Sequence, residues 1–120
     1  MQRGEIWLAR LNPNSGAEAG KVRPVLIMLD NALLSAGMSP VLCIPLTSKL
    51  FKNLAGLRIE IAPRGRLLKA CYAMPEQARA LDRNRLGDGP LALLTQKELA
   101  QVERVFLACC GMADFLKPIH

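Results

Sequence analysis

The stretch EIWLARLNPNSGAEAGKVRPVLIML, Glu5 to Leu29, places two apolar runs on either side of a polar loop, and its reading decides the fold. In EIWLARL, Ile6, Leu8 and Arg10 fall on one face and Trp7 and Ala9 on the other, which is the alternation of a strand. VLIML, from Val25 to Leu29, is a continuous apolar run of the length of a buried strand. The loop between them, NPNSGAEAGK, has two glycines and a proline over ten residues and is longer than a hairpin requires. Pro24 cannot donate to a ladder, so it is expected at the first position of the second strand, where it biases Arg23 toward an extended backbone at the strand mouth.

Outward from this pair the same punctuation continues. DNALLSAGM suits a helical turn capped by Asp30 or Asn31, and PVLCIPLTS reads as a third strand interrupted near its end by Pro45. LRIEIA alternates, with Leu57, Ile59 and Ile61 opposite Arg58 and Glu60. KACYAM and QARAL continue the strand pattern, with a bend or bulge expected at Pro75 between them. TQKELAQVERVFLACCGM is a helix. Thr95 and Glu98 form a T-x-x-E capping box, Leu99, Val102, Phe106 and Cys109 make an apolar face, and Gly111 is a stop. Five or six short strands and one closing helix predict a mainly β fold with α, a small, strongly bent antiparallel barrel with the helix packed on it.

A chain of 120 residues is the size of one domain, here taken as residues 1–112 with a C-terminal tail at 113–120. Its 51% hydrophobic content argues against disorder, and no window approaches the ~18 uninterrupted apolar residues of a membrane span. Arg3, Glu5 and Arg10 stand where a signal peptide needs its apolar segment, so a soluble cytoplasmic protein is expected. The four cysteines, Cys43, Cys71, Cys109 and Cys110, lack C-x-x-C spacing and read as reduced, small buried side chains. The single histidine is His120, so no metal site and no cofactor is expected. Sixteen Lys and Arg against ten Asp and Glu give a formal charge of +6. That balance suits an anionic partner such as nucleic acid, and equally a solvated basic surface. Arg64, Arg66, Lys69, Arg79, Arg83 and Arg85 crowd one segment, opposed there only by Glu76 and Asp82.

Two strand ends carry groups suited to phosphate chemistry. Arg23 brings a permanently charged guanidinium with five donors, and IPLTSKL ends the third strand with Thr47, Ser48 and Lys49. Taken singly, the arginine could neutralise a carboxylate at the strand end and the hydroxyls could satisfy a turn. In the order and spacing RGEIW, LNPNSGAEAGKVRPVLI, IPLTS, EQARALDRNRLG and a capped helix, however, the chain resembles the toxin endoribonucleases of the MazF/PemK family from Arg3 to about Gly111. The pattern G-x-E-x-G-x-x-R-P-V, Gly16 to Val25, is the most specific element.

The resemblance implies an SH3-like barrel of the CcdB/PemK-like kind. It implies a toxin acting as a homodimer that cuts single-stranded RNA without metal, at a short sequence motif, and that is held in check by a cognate antitoxin. Arg23 and Thr47 match the family's catalytic pair. Glu18, in the first loop, matches a residue bordering the RNA groove, where Lys21, Ser48, Lys49 and Arg79 are further candidates, and Glu76 and Gln77 match an E-Q dipeptide. In a branch resembling PemK the carboxylate at the Glu76 position is the general base and an arginine two residues earlier the acid; here that earlier residue is Met74. Ala70 and Cys71 stand where the family often has Asp-Ser, and Ala17 and Ala19 replace the Ser and Gln common around the loop glutamate.

RNA carries its own nucleophile, the 2′-hydroxyl, so the protein must align it, move protons and stabilise the phosphorane. In this reading Arg23 binds the phosphorane charge, Thr47 donates to a non-bridging oxygen and Glu76 is a candidate base. Two other readings use the same barrel. One is a CcdB-like toxin that binds a protein such as DNA gyrase through its C-terminal helix without cutting RNA. The other is a non-catalytic SH3-like module, which the 4% aromatic content disfavours.

Overall fold

In the computed structural model, which describes residues 1–11 and 22–116 of the chain, β1 (Glu5–Arg10) pairs antiparallel with β2 (Val22–Ile27), Ile6 opposite Leu26 and Arg10 opposite Val22. A short helix α1 (Asn31–Ser35) follows, and Asp30 caps it by accepting from the Ala32 N–H at 2.9 Å. The chain then forms β3 (Val41–Thr47), β4 (Ile59–Ile61), β5 (Cys71–Ala73), β6 (Arg79–Leu81), β7 (Leu86–Leu93) and the closing helix α2 (Gln96–Cys109). The strands make one curled antiparallel sheet in the order β4-β5-β3-β2-β1-β7, with β6 continuing the edge of β3 beside β5.

Both faces of the central strands are covered. On one face Ile6, Leu26, Ile44, Leu46 and Ile61 pack with Val102 of α2; on the other Ala9, Val25, Ile27, Val41 and Cys43 pack with Leu34 of α1 and Leu81. This double burial explains why the β2 run and the Ile6–Ala9 stretch of β1 are continuously apolar. Fully burying a Leu or Ile side chain contributes about 1.5–3 kcal/mol, so these two clusters dominate the stability.

Both strand prolines sit differently from expectation. Pro24 is the third residue of β2, opposite Leu8, and Pro45 lies inside an uninterrupted β3. Each occupies a gap in pairing. The β2–β3 ladder begins only at Val25, and β3 changes partner from β6, which ends opposite Cys43, to β5, which begins opposite Leu46. A missing N–H therefore costs no ladder bond on that side. The bend at Pro75 is a 3₁₀ turn, Pro75–Gln77.

The seventh strand, β7, does not read as one in the sequence because Gly87, Gly89 and Pro90 interrupt it. Of the cysteines, Cys43 and Cys71 are buried as expected, whereas Cys109 and Cys110 are exposed, and all four are free. On α2 it is Val105, rather than Cys109, that joins Leu99 and Phe106 against the core. No helix among the described residues is long and apolar enough to cross a membrane.

The capping box is formed in full, with Glu98 N–H donating to Thr95 Oγ1 at 3.1 Å and Thr95 N–H to Glu98 Oε1 at 2.8 Å. Arg64 adds a bidentate pair to the same carboxylate, its Nη2 donating at 2.6 Å. The Arg64 hydrogen bonds outweigh partial burial and hold the Glu98 carboxyl down at about 2, against an ordinary 4.5. Because the folded value lies below the unfolded one, this stabilisation is present above pH ~4.5 and is lost as pH falls toward 2. Discounted for partial exposure of the pair, it amounts to roughly 2 kcal/mol. Urea midpoints of wild type and Glu98→Gln should therefore differ at pH ~6, approach each other as pH falls below ~4.5 and converge only at or below about pH 2. Parallel pH profiles for the two proteins would remove Glu98 from the acid response.

Candidate active site

The β2–β3 ladder pairs Val25 with Pro45, Leu26 with Ile44 and Ile27 with Cys43. Carried two residues past its last pair, this register sets Arg23 opposite Thr47. Both line an open cavity of about 910 Å³ floored by Leu8, Pro24, Leu46, Leu67 and Leu91. Thr47 is half-buried, and its Oγ1 accepts the Lys49 N–H at 3.2 Å, so one lone pair is engaged and the hydroxyl hydrogen is left to donate into the cavity. The turn role and the donor role expected as alternatives are thus compatible in one side chain. Ser48 and Lys49 are exposed and line the same cavity. Arg23 is half-buried and has no ion-pair partner among the described residues.

The far wall comes from the segment between β4 and β5. Arg64 and Leu67 exchange backbone hydrogen bonds of 3.0 and 2.8 Å around a tight turn, and the Arg66 N–H docks that turn on β7 by donating to Leu91 O at 2.7 Å. Gly65 sits at φ +54, and a Cβ there would lie 2.8 Å from Leu91 O, so both conformation and space call for glycine. The docked turn presents Arg66 and Lys69 across the cavity from Arg23.

β7 supplies the remaining side by bulging. Ile6 faces Ala92 and Leu8 faces Gly87, so a two-residue step on β1 spans a five-residue step on β7. Within the bulge Asp88 takes φ +46 and accepts from Arg66 Nη2 at 2.5 Å, and Gly89 lies against the Trp7 ring, where a Cβ would come within 2.2 Å. Among the described residues the cavity thus holds four cations, Arg23, Lys49, Arg66 and Lys69, against one carboxylate, Asp88. Such a lining attracts a phosphate backbone. Cys71 also lines it, and burial pushes its thiol upward, so it stays neutral.

Glu18 and Lys21 lie outside the described residues, as does the Gly16 to Gly20 pattern. Glu76, Gln77 and Arg79 are described and do not line the cavity. They run along the edge of β3 away from Thr47: Tyr72 pairs with Thr47, the Pro75–Gln77 turn follows, and Arg79 pairs with Cys43. Four residues of strand separate Cys43 from Thr47, about 13 Å. The Glu76 carboxylate instead accepts from Arg58 Nη1 at 2.6 Å, and the Arg58 side chain is only 4% exposed, contrary to the outward position its alternation with Ile59 and Ile61 suggests. Burial works to raise the Glu76 carboxyl, but the Arg58 hydrogen bond and charge, the local backbone and Gln77 together leave it lowered. A lowered carboxyl is a weak proton acceptor at neutral pH.

The sequence reading did not single out Asp88, Leu67, Leu91 or the site position of Arg66. Its available signals were the glycine turns in RGRL and GDGP, which mark the docked turn and the bulge.

The chain matches over residues 2–109 the family described as PemK-like, MazF-like toxin of type II toxin-antitoxin system. Endoribonuclease MazF of Staphylococcus saprophyticus is 31% identical over 113 residues, covering 93% of this chain and 92% of that protein. Among solved structures, the Deinococcus radiodurans MazE–MazF complex (Form-II) superposes with a TM-score of 0.76 at 21% identity, covering 93% of this chain and 96% of the other. Mycobacterium tuberculosis toxin MazF-mt6 gives 0.73 at 15% identity, covering 90% and 97%. At those identities the superpositions speak for the fold, a curled antiparallel half-barrel closed by a C-terminal helix.

Removing the Glu76 carboxylate leaves the Arg58 guanidinium, whose side chain is largely covered, without its ion-pair partner. Glu76→Ala should lower the unfolding free energy by about 2–3 kcal/mol in urea titrations, with most of it recovered when Arg58→Met is added. An unchanged midpoint for Glu76→Ala would refute the anchoring role of this pair.

Proposed function

The chain belongs to the PemK-like, MazF-like toxin family of type II toxin-antitoxin systems, and from that premise we propose that it is a metal-independent endoribonuclease that cuts single-stranded RNA at a short motif and so arrests translation and growth. The observation that carries this reading is the convergence of Arg23 and Thr47, from two paired strands, on one cationic cavity.

The chemistry follows from these groups. The substrate 2′-hydroxyl gives up its proton and attacks the adjacent phosphorus; the phosphorane that forms carries an extra negative charge until its bond to the 5′-oxygen breaks, which leaves a 2′,3′-cyclic phosphate and a 5′-hydroxyl that takes up a proton. Arg23 binds that charge with a fixed fork of donors, and the Thr47 hydroxyl, held through its turn hydrogen bond, donates to a non-bridging oxygen. Donors already in place when charge develops lower the barrier without reorganisation. Ser48 and Lys49 on the near side, and Arg66 and Lys69 on the far wall, hold the flanking backbone. The sequence motif adds Glu18 and Lys21, which lie outside the described residues, as further RNA-binding candidates. Gln77 and Arg79 extend the polar and basic surface along β3 outside the cavity, and Glu76 is assigned to anchoring Arg58 rather than to proton transfer.

An antitoxin partner is part of the proposal, since the structural neighbours include toxin–antitoxin complexes. The exposed apolar side chains at the cavity, Val22 and Leu68, suit a peptide that lies across it and competes with RNA. A homodimer is proposed as well, supported by further exposed apolar side chains at Leu33, Met38, Leu93 and Met112.

Purified protein incubated with a long transcript in excess EDTA should cut it at discrete sites. Arg23→Ala should slow cleavage at least ~100-fold and Thr47→Ala roughly 10–100-fold, as expected for a lost charge-stabilising donor. Intact RNA from folded wild type, or equal cutting by Arg23→Ala, would defeat the proposal. Growth arrest that survives both substitutions would favour a protein-binding toxin.

A further inference from the structure

Beside the main cavity lies a smaller cleft of about 260 Å³, walled by Arg10, Asn84, Arg85 and Gly87. The two share Leu8, Val22 and Asp88, so they meet across a single ridge of side chains. The β1–β2 register explains why. Leu8 pairs with Pro24 and Arg10 with Val22, which puts Leu8, Arg10, Val22 and Pro24 on one face of the sheet. That face floors the cavity at Leu8 and Pro24 and continues into the cleft at Arg10, two residues or about 7 Å further along the strand, the order of one nucleotide of extended backbone.

Among the described residues the cleft's two guanidiniums outnumber its one carboxylate. Neither Arg10 nor Arg85 is in an ion pair with any described residue, and the one carboxylate that lines the cleft, Asp88, is bonded to Arg66 on the cavity side. Two guanidiniums in one small concavity, neither paired with the one carboxylate that lines it, suit an anion that arrives from outside.

Accepting the endoribonuclease reading above, we propose that this cleft is a subsite for a nucleotide flanking the scissile one, where Arg10 and Arg85 take its phosphodiester. The strand would leave the Arg23 and Thr47 centre, cross the ridge at Val22 and Asp88, and place its next phosphate between the two arginines. The ligand class is an RNA phosphodiester, since the cleft opens from the cavity in which RNA is cut.

The test uses the full chain and synthetic RNAs bearing its mapped cleavage motif. One is a minimal oligonucleotide, and the others extend it by two nucleotides on the 5′ or the 3′ side. Wild type should gain roughly tenfold in kcat/KM from extension on one side, the scale of one charge-assisted contact. A neutral methylphosphonate at the added linkage should abolish that gain. The Arg10→Ala, Arg85→Ala double variant, with its fold checked by circular dichroism and urea midpoint, should show no gain from extension and no response to the methylphosphonate. It should cut the minimal oligonucleotide, which does not reach the cleft, at nearly the wild-type rate. If wild type cuts none of these RNAs, the endoribonuclease reading itself fails. If wild type cuts but gains nothing from extension, if the double variant keeps the gain, or if it slows on the minimal substrate by the same factor, the subsite is overturned.

Discussion

The register of the β2–β3 ladder is the constraint on which the site depends. A shift of one residue would turn every side chain of β2 to the opposite face, putting Val25, Leu26 and Ile27 into the wrong apolar clusters and separating Arg23 from Thr47. Burial on both faces makes such a slip costly. Leu26 and Ile44 belong to one apolar cluster, and Val25, Ile27 and Cys43 to the other, so any displacement disrupts both at once. The pairing energy of the core is thereby converted into the placement of two polar side chains just beyond its end.

A ladder alone would leave those side chains on an open strand end, and the walls come from elements that depart from regular pairing. The β7 bulge lifts Asp88 and Leu91 toward the cavity, and Gly89 lets the bulge pack on Trp7. The turn carrying Gly65 and Arg66 is held to this bulge by its backbone bond to Leu91 and to helix α2 through Arg64 and Glu98. The helix cap is therefore mechanically connected to the far wall: one carboxylate completes the capping box and fixes the base of the turn that presents Arg66.

Much of this arrangement is legible in the sequence where local chemistry and tertiary structure agree. The alternation of β1, the unbroken run of β2, the box at Thr95 and Glu98 and the polar ends at Arg23 and Thr47 all report physical periods or caps. What is not legible is set by neighbours distant along the chain. Pro24 and Pro45 look like strand boundaries, yet they lie in gaps between partners that only the folded topology defines. β7 hides behind two glycines and a proline because its bulge serves the ring of Trp7 and the turn at Arg66. Arg58 reads as an exposed residue of an alternating strand, and is buried because Glu76, eighteen positions later, comes back to neutralise it.

That pairing bears on how the site handles protons. A carboxylate hydrogen-bonded to a neighbouring guanidinium has its proton affinity lowered, and releasing it would leave the largely covered Arg58 side chain without its partner. Glu76 is thus better suited to holding the Pro75–Gln77 turn against β4 than to taking a proton from a substrate hydroxyl. The cavity is built differently: its cations outnumber its one described carboxylate, and its neutral donor is a threonine whose acceptor side is already occupied. Such a lining stabilises negative charge as it develops, which is what the RNA cleavage proposed above asks of it.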